Sequence, residues 1–216
     1  MSRDPYAGDA PSRDPTRSLI RRQAGAYRLE PPNKMPTFVA LLRGVNVGKA
    51  KRVPMAELRA LLSGLGYTDV ATLLNSGNAV FCATKGTPAK HSADIAAAIS
   101  SRLKVEVPVI VKSAGELATI ISENPIKAGT DEHPRLLVAF TQDTKALSSL
   151  TAIQSLVTPP ERFAVGKNAA YLLCPAGILQ SKAWAALLGK VGKTATTRNW
   201  ATVLKLQALV RECATR

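Results

Sequence analysis

The sequence predicts an α+β protein in which the order βαββαβ occurs twice and a helix ends the chain. Two observations predict this class. Short apolar runs bounded by Gly, Pro, Asn and Asp alternate with segments whose apolar residues recur every three or four positions, as strands alternate with helices. The order of these segments between residues 37 and 111 recurs between residues 136 and 197 without a repeat of residue identities, so the second copy is degenerate.

The first copy begins at residue 37. Its predicted elements, in chain order, are a strand at 37–43, a helix from Pro54, strands at 69–74 and 79–83, a helix from Thr87-Pro88 and a strand at 107–111. Pro54 suits the first turn of a helix, because the N–H that proline lacks has no helical partner there. Ser76-Gly77, between the second and third strands, favours a tight hairpin. This order is the split βαβ, or ferredoxin-like, order.

The second copy follows a linking helix, which Ser113 and Glu116 predict because they have the spacing of a capping box. Its predicted elements are a strand at 136–141, a helix around 147–153, hairpin strands at 163–165 and 170–173, a helix around 184–188, a strand at 194–197 and a final helix from Trp200. The predicted domains are an extension (1–34), a first ferredoxin-like lobe with the linking helix (35–125) and a second lobe with the C-terminal helix (126–216).

Residues 1–34 differ in composition from the rest of the chain. They contain scattered prolines and arginines without sustained periodicity, so we expect this stretch to be disordered. Met35 directly precedes the first strand, which favours Met35 as the natural start and residues 1–34 as an upstream extension. The alternative is a basic arm that adds affinity for an anionic partner.

The composition favours a basic protein of the cytoplasm. The formal net charge is +14, of which residues 1–34 contribute +3 and the remainder +11. The positive electrostatic field of such a protein favours phosphate-bearing partners, although many basic proteins bind nothing specific. The three cysteines form no C-x-x-C pair, so we expect reduced core thiols at Cys82 and Cys174 rather than disulfides or a zinc site. We expect no secretory signal, membrane partner, metal or cofactor.

A glycine-containing loop connects the first predicted strand to the first helix. Its candidate ligand-binding residues are Arg43, Gly44, Asn46, Gly48 and Lys49. Free N–H groups and a helix N-terminus attract anions. The loop is not a Walker loop, because three residues instead of four separate its glycines and Ala50 follows the lysine. The alternative is a tight turn in which the two glycines adopt unusual φ angles.

The predicted hairpin turn supplies four more candidate ligand-binding residues: Asn75, Ser76, Gly77 and Asn78. Asn and Gly are common in turns because they tolerate left-handed conformations, so the turn is also explained without a ligand. In a βαββαβ unit, the first strand ends on the edge where the second strand turns into the third. We therefore expect residues 43–52 and 75–78 to lie side by side and to form a binding edge.

The last three candidate ligand-binding residues precede the C-terminal helix: Thr197, Arg198 and Asn199. Thr197 or Asn199 can cap that helix. Arg198 can instead hold a carboxylate or phosphate with two parallel hydrogen bonds. The sequence alone leaves both interpretations open.

No catalytic residue can be assigned. The two histidines, His91 and His133, lie in polar segments that predict exposure, so the parts of a histidine triad or metal cluster are missing. Glu57 is either a base near the loop or a solvent-facing helix residue. Phe38 and Phe81 are strand aromatics without an accompanying basic-aromatic string, which disfavours an RNA-stacking sheet and leaves contact with phosphates open.

Several strings resemble, in the same order, the bacterial domain-of-unknown-function 1697 family: Ala40–Gly48, Val53–Leu58, Asn75–Phe81 and Thr196–Trp200. The resemblance covers about residues 35–210. It implies a cytoplasmic bacterial protein with two ferredoxin-like lobes, and it implies no reaction because the family has no established activity. Lys49-Ala50-Lys51 departs from a more glycine-rich stretch, which weakens the case for a flexible phosphate cradle.

Three functions follow as hypotheses. The first is binding of a phosphorylated or otherwise anionic small ligand between the glycine loop and the hairpin turn. The second is non-specific nucleic-acid binding through the basic surface. The third is an enzyme acting on a small anionic substrate, oriented by Arg43, Asn46, Asn75 and Arg198. The sequence does not decide the oligomeric state.

Overall fold

Two antiparallel sheets of four strands form the framework of the protein in the computed structural model, which describes residues 35–47 and 51–213. The first sheet has the order β2–β3–β1–β4 and comprises β1 (Thr37–Leu42), β2 (Thr68–Leu73), β3 (Asn78–Cys82) and β4 (Val109–Ser113). The second has the order β6–β7–β5–β8 and comprises β5 (Leu136–Thr141), β6 (Arg162–Val165), β7 (Ala169–Leu173) and β8 (Ala195–Asn199). We call β1 to β4 with their helices the first half, and β5 to β8 the second half.

Six α-helices accompany these strands in the described residues. They are α1 (Met55–Gly64), α2 (Pro88–Leu103), α3 (Ala114–Ser122), α4 (Thr144–Ser149), α5 (Lys182–Leu188) and α6 (Trp200–Cys213). A 3-10 helix (Leu150–Leu156) continues α4, and another spans Thr130–Glu132. The predicted α+β class and element order are confirmed. The predictions for residues 1–34 and for Gly48–Ala50 lie outside the described residues.

The core consists of three buried clusters arranged around the sheets. One face of the first sheet packs against α1 and α2, and one face of the second sheet packs against α4, its 3-10 continuation and α5. The central cluster joins the remaining faces of both sheets, for example Val39 and Val138, to α3 and α6. Because α3 and α6 share a core with both sheets, the described residues from Met35 to Cys213 form one compact unit.

The starts of the helices differ in one respect. Five of the six α-helices in the described part begin at a side chain that accepts a backbone N–H of the first turn: Thr87, Ser113, Asp143, Ser181 and Asn199. The capping box that Ser113 and Glu116 predict is confirmed. Helix α1 begins at Pro54, which has no side-chain acceptor, so its first N–H groups have no cap of this kind.

The repeat extends to individual positions. Lys112 in β4 lies opposite Val39, the third residue of β1, and Arg198 in β8 lies opposite Val138, the third residue of β5. Each cation directly precedes the residue that caps the following helix. Both are buried, with 6% and 8% of their surface exposed. The same place in each half therefore holds a buried cation.

None of the helices in the described ranges is long and apolar enough to cross a membrane.

Candidate ligand-binding site

The loop 43–54 folds back on itself through Asn46. The Asn46 N–H donates to Lys51 O at 3.1 Å. Its side chain donates from Nδ2 to Val53 O and accepts from Val53 N at Oδ1, both at 2.9 Å. Asn46 has φ +58°, a left-handed conformation that Asn tolerates better than most residues. Asn46 therefore closes the loop and is not a freely mobile side chain.

The loop lies directly against the turn between β2 and β3. Asn46 Nδ2 donates to Asn75 O at 2.6 Å, and Leu42 N donates to Gly77 O at 2.8 Å. Gly77 has φ +74°, and a Cβ there would lie 2.6 Å from Leu42 Cβ and 2.7 Å from Val45 Cγ2. Only glycine fits this approach without displacing the loop. We call the described residues of this loop, 43–47 and 51–54, together with the turn 74–78, the first edge.

A cleft of about 380 Å³ opens at the first edge. Among the described residues, it is lined by Asn46, Arg52, Pro54, Met55 and Asn75. Its wall thus includes the start of α1, where the first N–H groups lack a side-chain cap. The exposed Arg52 guanidinium adds a cation. An acceptor-rich anion in this cleft would meet both kinds of donor.

Left-handed backbone conformations concentrate at the first edge. Five residues other than glycine have positive φ in the described ranges, and three of them lie here: Asn46, Lys51 and Leu74. Gly44 and Gly77 adopt the same region. Such conformations are unfavourable for non-glycine residues and persist only where the surroundings impose them, often at binding sites.

The segments at this edge contain no carboxylate. The described residues of 43–54, 74–78 and 188–194 include no Asp or Glu, and they carry five Lys or Arg. The third segment adjoins the first, because Arg43 Nη2 donates to Leu188 O, at the end of α5, at 3.0 Å. The cationic charge of this edge is therefore not neutralised from within these segments.

Arg198 lies behind the turn and not in the cleft. Its Nη1 donates to Thr196 Oγ1 at 3.0 Å and to Thr197 O at 2.7 Å. Its Nε donates to Asn78 Oδ1, and its Nη2 contacts the carbonyl oxygens of Leu42, Ser76 and Gly77 at 2.8, 3.1 and 3.4 Å. Burial lowers the pKa of Arg198 to about 10, so the group stays charged at neutral pH.

These contacts use all five N–H groups of the guanidinium. In this arrangement Arg198 has no N–H left for a bidentate bond to an external carboxylate or phosphate. It instead connects β8 of the second half to the end of β1 and the β2–β3 turn of the first. Asn78, whose Nδ2 donates to Leu73 O and Ser76 Oγ, is fully buried at the same junction.

The predicted site residues therefore fall into groups. Asn46 and Asn75 line the cleft, with Arg43, Gly44, Ser76 and Gly77 in the segments that form the first edge. Asn78, Thr197 and Arg198 form the junction behind it, and Asn199 caps α6. Gly48 and Lys49 lie outside the described residues. Sequence reasoning missed Pro54 and Met55, although a proline without a capping neighbour is a signal for an open helix start.

The corresponding edge of the second half is smaller and more fully bonded. Gln142 and Asp143 alone connect β5 to α4, and the turn between β6 and β7 comprises residues 166–168. We call these two segments the second edge. The cavity beside it measures about 100 Å³, and Lys112 and Glu116 contribute to its lining. Lys112 Nζ lies 3.6 Å from Glu116 Oε1.

The prediction that His91 is exposed is wrong. His91 is 3% exposed and packs edge-on against the rings of Phe38, Tyr67 and Phe81. Its Nδ1 lies 2.9 Å from Tyr67 Oη, and its Nε2 is buried without a partner. Burial lowers the pKa of His91, Asp94 raises it and Lys90 lowers it further. Burial, with the Asp94 charge, raises the pKa of Tyr67 to about 12.

The aromatic, acidic and cysteine side chains considered above are buried in the core or form an ion pair. Phe38 and Phe81 are buried beneath α1 and α2, so neither offers a ring for base stacking. Glu57 is half exposed and pairs with Arg102 of α2 at 3.7 Å. Cys82 and Cys174 are buried free thiols, as predicted. Within the part of the chain that the structure describes, no group of three His, Cys, Asp or Glu side chains could hold a metal ion.

Comparison with known families decides where the chain belongs. Residues 35–171 match the family described as "Protein of unknown function (DUF1697)". The chain belongs to the DUF1697 family. The match begins where the sequence resemblance begins and ends before the Thr196–Trp200 string. No curated protein matches this DUF1697 chain.

One solved structure has the same fold. The conserved bacterial protein SP0830 from Streptococcus pneumoniae is 22% identical, with a TM-score of 0.68 over 82% of this chain and 99% of that one. Protein BT0572 from Bacteroides thetaiotaomicron is 10% identical over 80% and 97% of the two chains, and its TM-score of 0.20 supports no argument. SP0830 therefore supports the fold of this DUF1697 protein and no activity.

Proposed function

We propose that this DUF1697 protein binds a small anionic ligand, carrying a phosphate or carboxylate group, in the cleft of the first edge. The observation that carries the proposal is the cleft itself. It measures about 380 Å³, and Arg52 and the uncapped start of α1 lie in its wall. The described residues of the segments around it carry five Lys or Arg and no carboxylate.

The chemistry of the lining fits an anion with several acceptor oxygens. Arg52 supplies a charged donor whose geometry matches phosphate or carboxylate. The first N–H groups of α1 supply neutral donors and the positive end of the helix dipole. Asn46 is held by its bonds to Val53 and Asn75, so the wall is already ordered before a ligand enters. Arg198 and Asn78 support this wall from behind.

The test is a titration of the full chain with inorganic phosphate, a hexose phosphate and a nucleoside monophosphate, followed by calorimetry and backbone amide NMR. We expect shifts of the amides of residues 55–57. Arg52→Gln should weaken binding about tenfold, because a charge-assisted hydrogen bond contributes about 1.5 kcal/mol. The matched control is Arg162→Gln in the second half, whose exposed guanidinium donates to Lys127 O at 2.9 Å. Equal affinity of the two variants, or no binding of any anion, would exclude the proposal.

The second candidate is non-specific nucleic-acid binding, which the carboxylate-free segments of the first edge favour. With Phe38 and Phe81 buried, binding would rest on phosphate contacts and not on base stacking. Affinity for a single-stranded oligonucleotide should then fall with salt, with a logarithmic slope of about 0.7 per phosphate neutralised. Affinity that does not depend on salt would contradict this candidate.

We also infer that each half is a ferredoxin-like unit and that the boundary between them lies after residue 125. The matching strand orders β2–β3–β1–β4 and β6–β7–β5–β8 support this reading. The central core shared through α3 and α6 implies that the two units unfold together. A single denaturant transition, observed identically by Trp fluorescence and by circular dichroism, is the expected result. Two separated transitions would contradict the inference.

A further inference from the structure

The first edge exposes aliphatic side chains beside its cations. Of the five large hydrophobic residues exposed in the described ranges, three belong to the segments that meet there: Val47 (73% exposed), Leu74 (54%) and Leu188 (56%). Val47 directly follows Asn46, and Leu74 directly precedes Asn75. These two asparagines line the cleft and are joined by a hydrogen bond of 2.6 Å.

Leu74 has a backbone conformation that is unfavourable for leucine. Its φ is +57°, in the left-handed region, where the Cβ of a leucine crowds its own backbone. Burial does not offset this strain, because more than half of the side chain is exposed. Asn or Gly would occupy the position more easily, and the adjacent residues of the turn are of these types. Backbone strain that holds an apolar side chain in solvent points to a binding role.

The cleft also contains one apolar wall. Met55, at the start of α1, is half buried and contributes to the lining together with Pro54. Donors and apolar groups therefore line the same cleft: Arg52 and the start of α1 for an anion, and Pro54 and Met55 for hydrocarbon. Val47 and Leu74 adjoin the lining residues Asn46 and Asn75 in the sequence. No aromatic ring belongs to the segments 43–54, 74–78 and 188–194, which disfavours a base or another flat aromatic group as the second part of the ligand.

We propose that the ligand of the first edge is an aliphatic anion, a phosphate or carboxylate head group carrying an alkyl chain that contacts Leu74 and Val47. This inference rests on the proposed function and specifies the class of ligand. The head group occupies the cleft, and the chain extends from it toward Leu74 and Val47, which adjoin the lining residues Asn75 and Asn46 in the sequence. The contact is reversible binding without a covalent step.

The experiment compares methyl phosphate with butyl phosphate, which carry the same head group, in calorimetric titrations of the full chain. Butyl phosphate should bind about tenfold more tightly, because partial burial of its additional methylene groups contributes roughly 1.4 kcal/mol. Butanol, which lacks the head group, should not bind measurably. Vesicles of phosphatidylglycerol distinguish a membrane surface from a free alkyl phosphate as the source of the chemistry.

Leu74→Asn provides the decisive variant. It should reduce the preference for butyl phosphate over methyl phosphate, because the alkyl chain loses its contact with Leu74. It should also raise Tm by about 2–4 °C, because Asn relieves the left-handed strain. Leu74→Gly tests the same position without any side chain. Leu179→Asn in the second half is the control, because Leu179 is the most exposed leucine of the described residues, at 93%.

The outcomes separate this inference from the proposed function. Equal affinities for methyl and butyl phosphate would overturn the alkyl contact and leave anion binding in place. Failure of both phosphates to bind would overturn both proposals. Binding of vesicles without binding of butyl phosphate, or an unchanged preference in Leu74→Asn, would also overturn the inference. A preference for butyl phosphate that is reduced in Leu74→Asn and kept in Leu179→Asn would establish it.

Discussion

In the first half, residues 43–54 connect β1 to α1, whereas in the second half only Gln142 and Asp143 connect β5 to α4. Asp143 caps α4 by accepting Ala146 N at 2.7 Å. Gln142 bonds to both backbone groups of Val111 in the edge strand β4, at 3.1 and 3.4 Å. The second edge thus satisfies its own helix start and a neighbouring strand, while the first leaves α1 uncapped beside a cleft.

The turns of the two edges are held in opposite ways. At the second edge, Glu123 at the end of α3 accepts from Asn168 N at 2.8 Å and Asn168 Nδ2 at 3.0 Å. At the first edge, Arg198 donates to the turn carbonyls. A carboxylate therefore holds one turn and a guanidinium the other. The same framework yields a closed, charge-balanced edge in one half and an open, cationic edge in the other.

The largest effect should come from replacing Arg198, one of the two cations at equivalent positions of the halves. Arg198→Met should lower the free energy of unfolding by about 3 kcal/mol or more, because Ser76 O and Asn78 Oδ1 lose the donors shown here and each buried unpaired group costs about 1–3 kcal/mol. Lys112→Met should change it by less than about 1 kcal/mol. Lys112 has a single ion pair, and its partner Glu116 stays partly solvated, at 37% exposure.

Urea unfolding followed by circular dichroism measures both variants. If Lys112→Met were as damaging as Arg198→Met, the two cations would be equally important and the contrast between the edges would fail at this position. If the slope m of unfolding free energy against urea concentration is the same in the variants and the unaltered protein, the measured differences are differences in stability.

The next effect concerns the glycines of the two turns. Gly77→Ala should cost about 2–4 kcal/mol, since it combines left-handed strain with contacts of 2.6 and 2.7 Å to Leu42 and Val45. Gly166→Ala should cost less, about 1 kcal/mol, because its Cβ would meet Glu123 Oε1 at 3.0 Å and Ala169 O and Tyr171 Cε2 at 3.2 Å, without a left-handed φ. Thermal unfolding gives both values. A smaller loss in Gly77→Ala than in Gly166→Ala would mean that loop 43–54 yields easily, contrary to an ordered cleft wall.

A third effect exchanges the helix caps. Asp143→Ala should lower the free energy of unfolding by about 1 kcal/mol through loss of the α4 cap. Pro54→Asp supplies α1 with a capping carboxylate, which should raise stability by up to about 1 kcal/mol and weaken phosphate binding by charge repulsion and competition. Phosphate affinity measured by calorimetry checks the second expectation. Undiminished binding in Pro54→Asp would remove the start of α1 from the site.

Sequence periodicity was sufficient for the order of strands and helices, because each element carries its own apolar spacing. The same periodicity also indicates that His91 is buried. This residue lies four positions before Ile95 and eight before Ile99, on the buried face of α2. The polar neighbours Lys90 and Ser92 outweighed that spacing in the prediction of exposure. Local composition was a poorer guide there than helical position.

Long-range contacts limited the prediction of the site. Strand β8 continues to Asn199, beyond the predicted end at residue 197, because it pairs with β5 along its whole length. The burial of Arg198 depends on carbonyl oxygens of the first half, which no local pattern around residue 198 can indicate. The cleft depends on Pro54 and Met55, whose apolar side chains drew no functional interpretation. Residue types that bind ligands were easier to find than the surfaces that surround them.

The smallest effect is a difference in pH dependence between two core clusters. The cluster between the first sheet and helices α1 and α2 adjoins the buried His91, whereas the cluster between the second sheet and helices α4 and α5 consists of aliphatic and aromatic residues with Cys174 as its buried titratable side chain. Because burial lowers the pKa of His91 below its ordinary value of 6.5, the unfolded chain binds the proton more readily than the folded chain. The stability that neutral His91 contributes is therefore complete above pH 6.5 and declines as the pH falls below that value.

His91→Phe keeps an aromatic ring and removes the titration. The unfolding free energy of this variant should therefore fall less between pH 7.5 and pH 5.5, a range of roughly one unit on either side of the pKa of an unperturbed histidine. Parallel urea titrations of the two proteins across this range measure the difference in slope. Identical slopes would mean that His91 takes up its proton equally well in the folded protein, contrary to its unpartnered Nε2 among three aromatic rings.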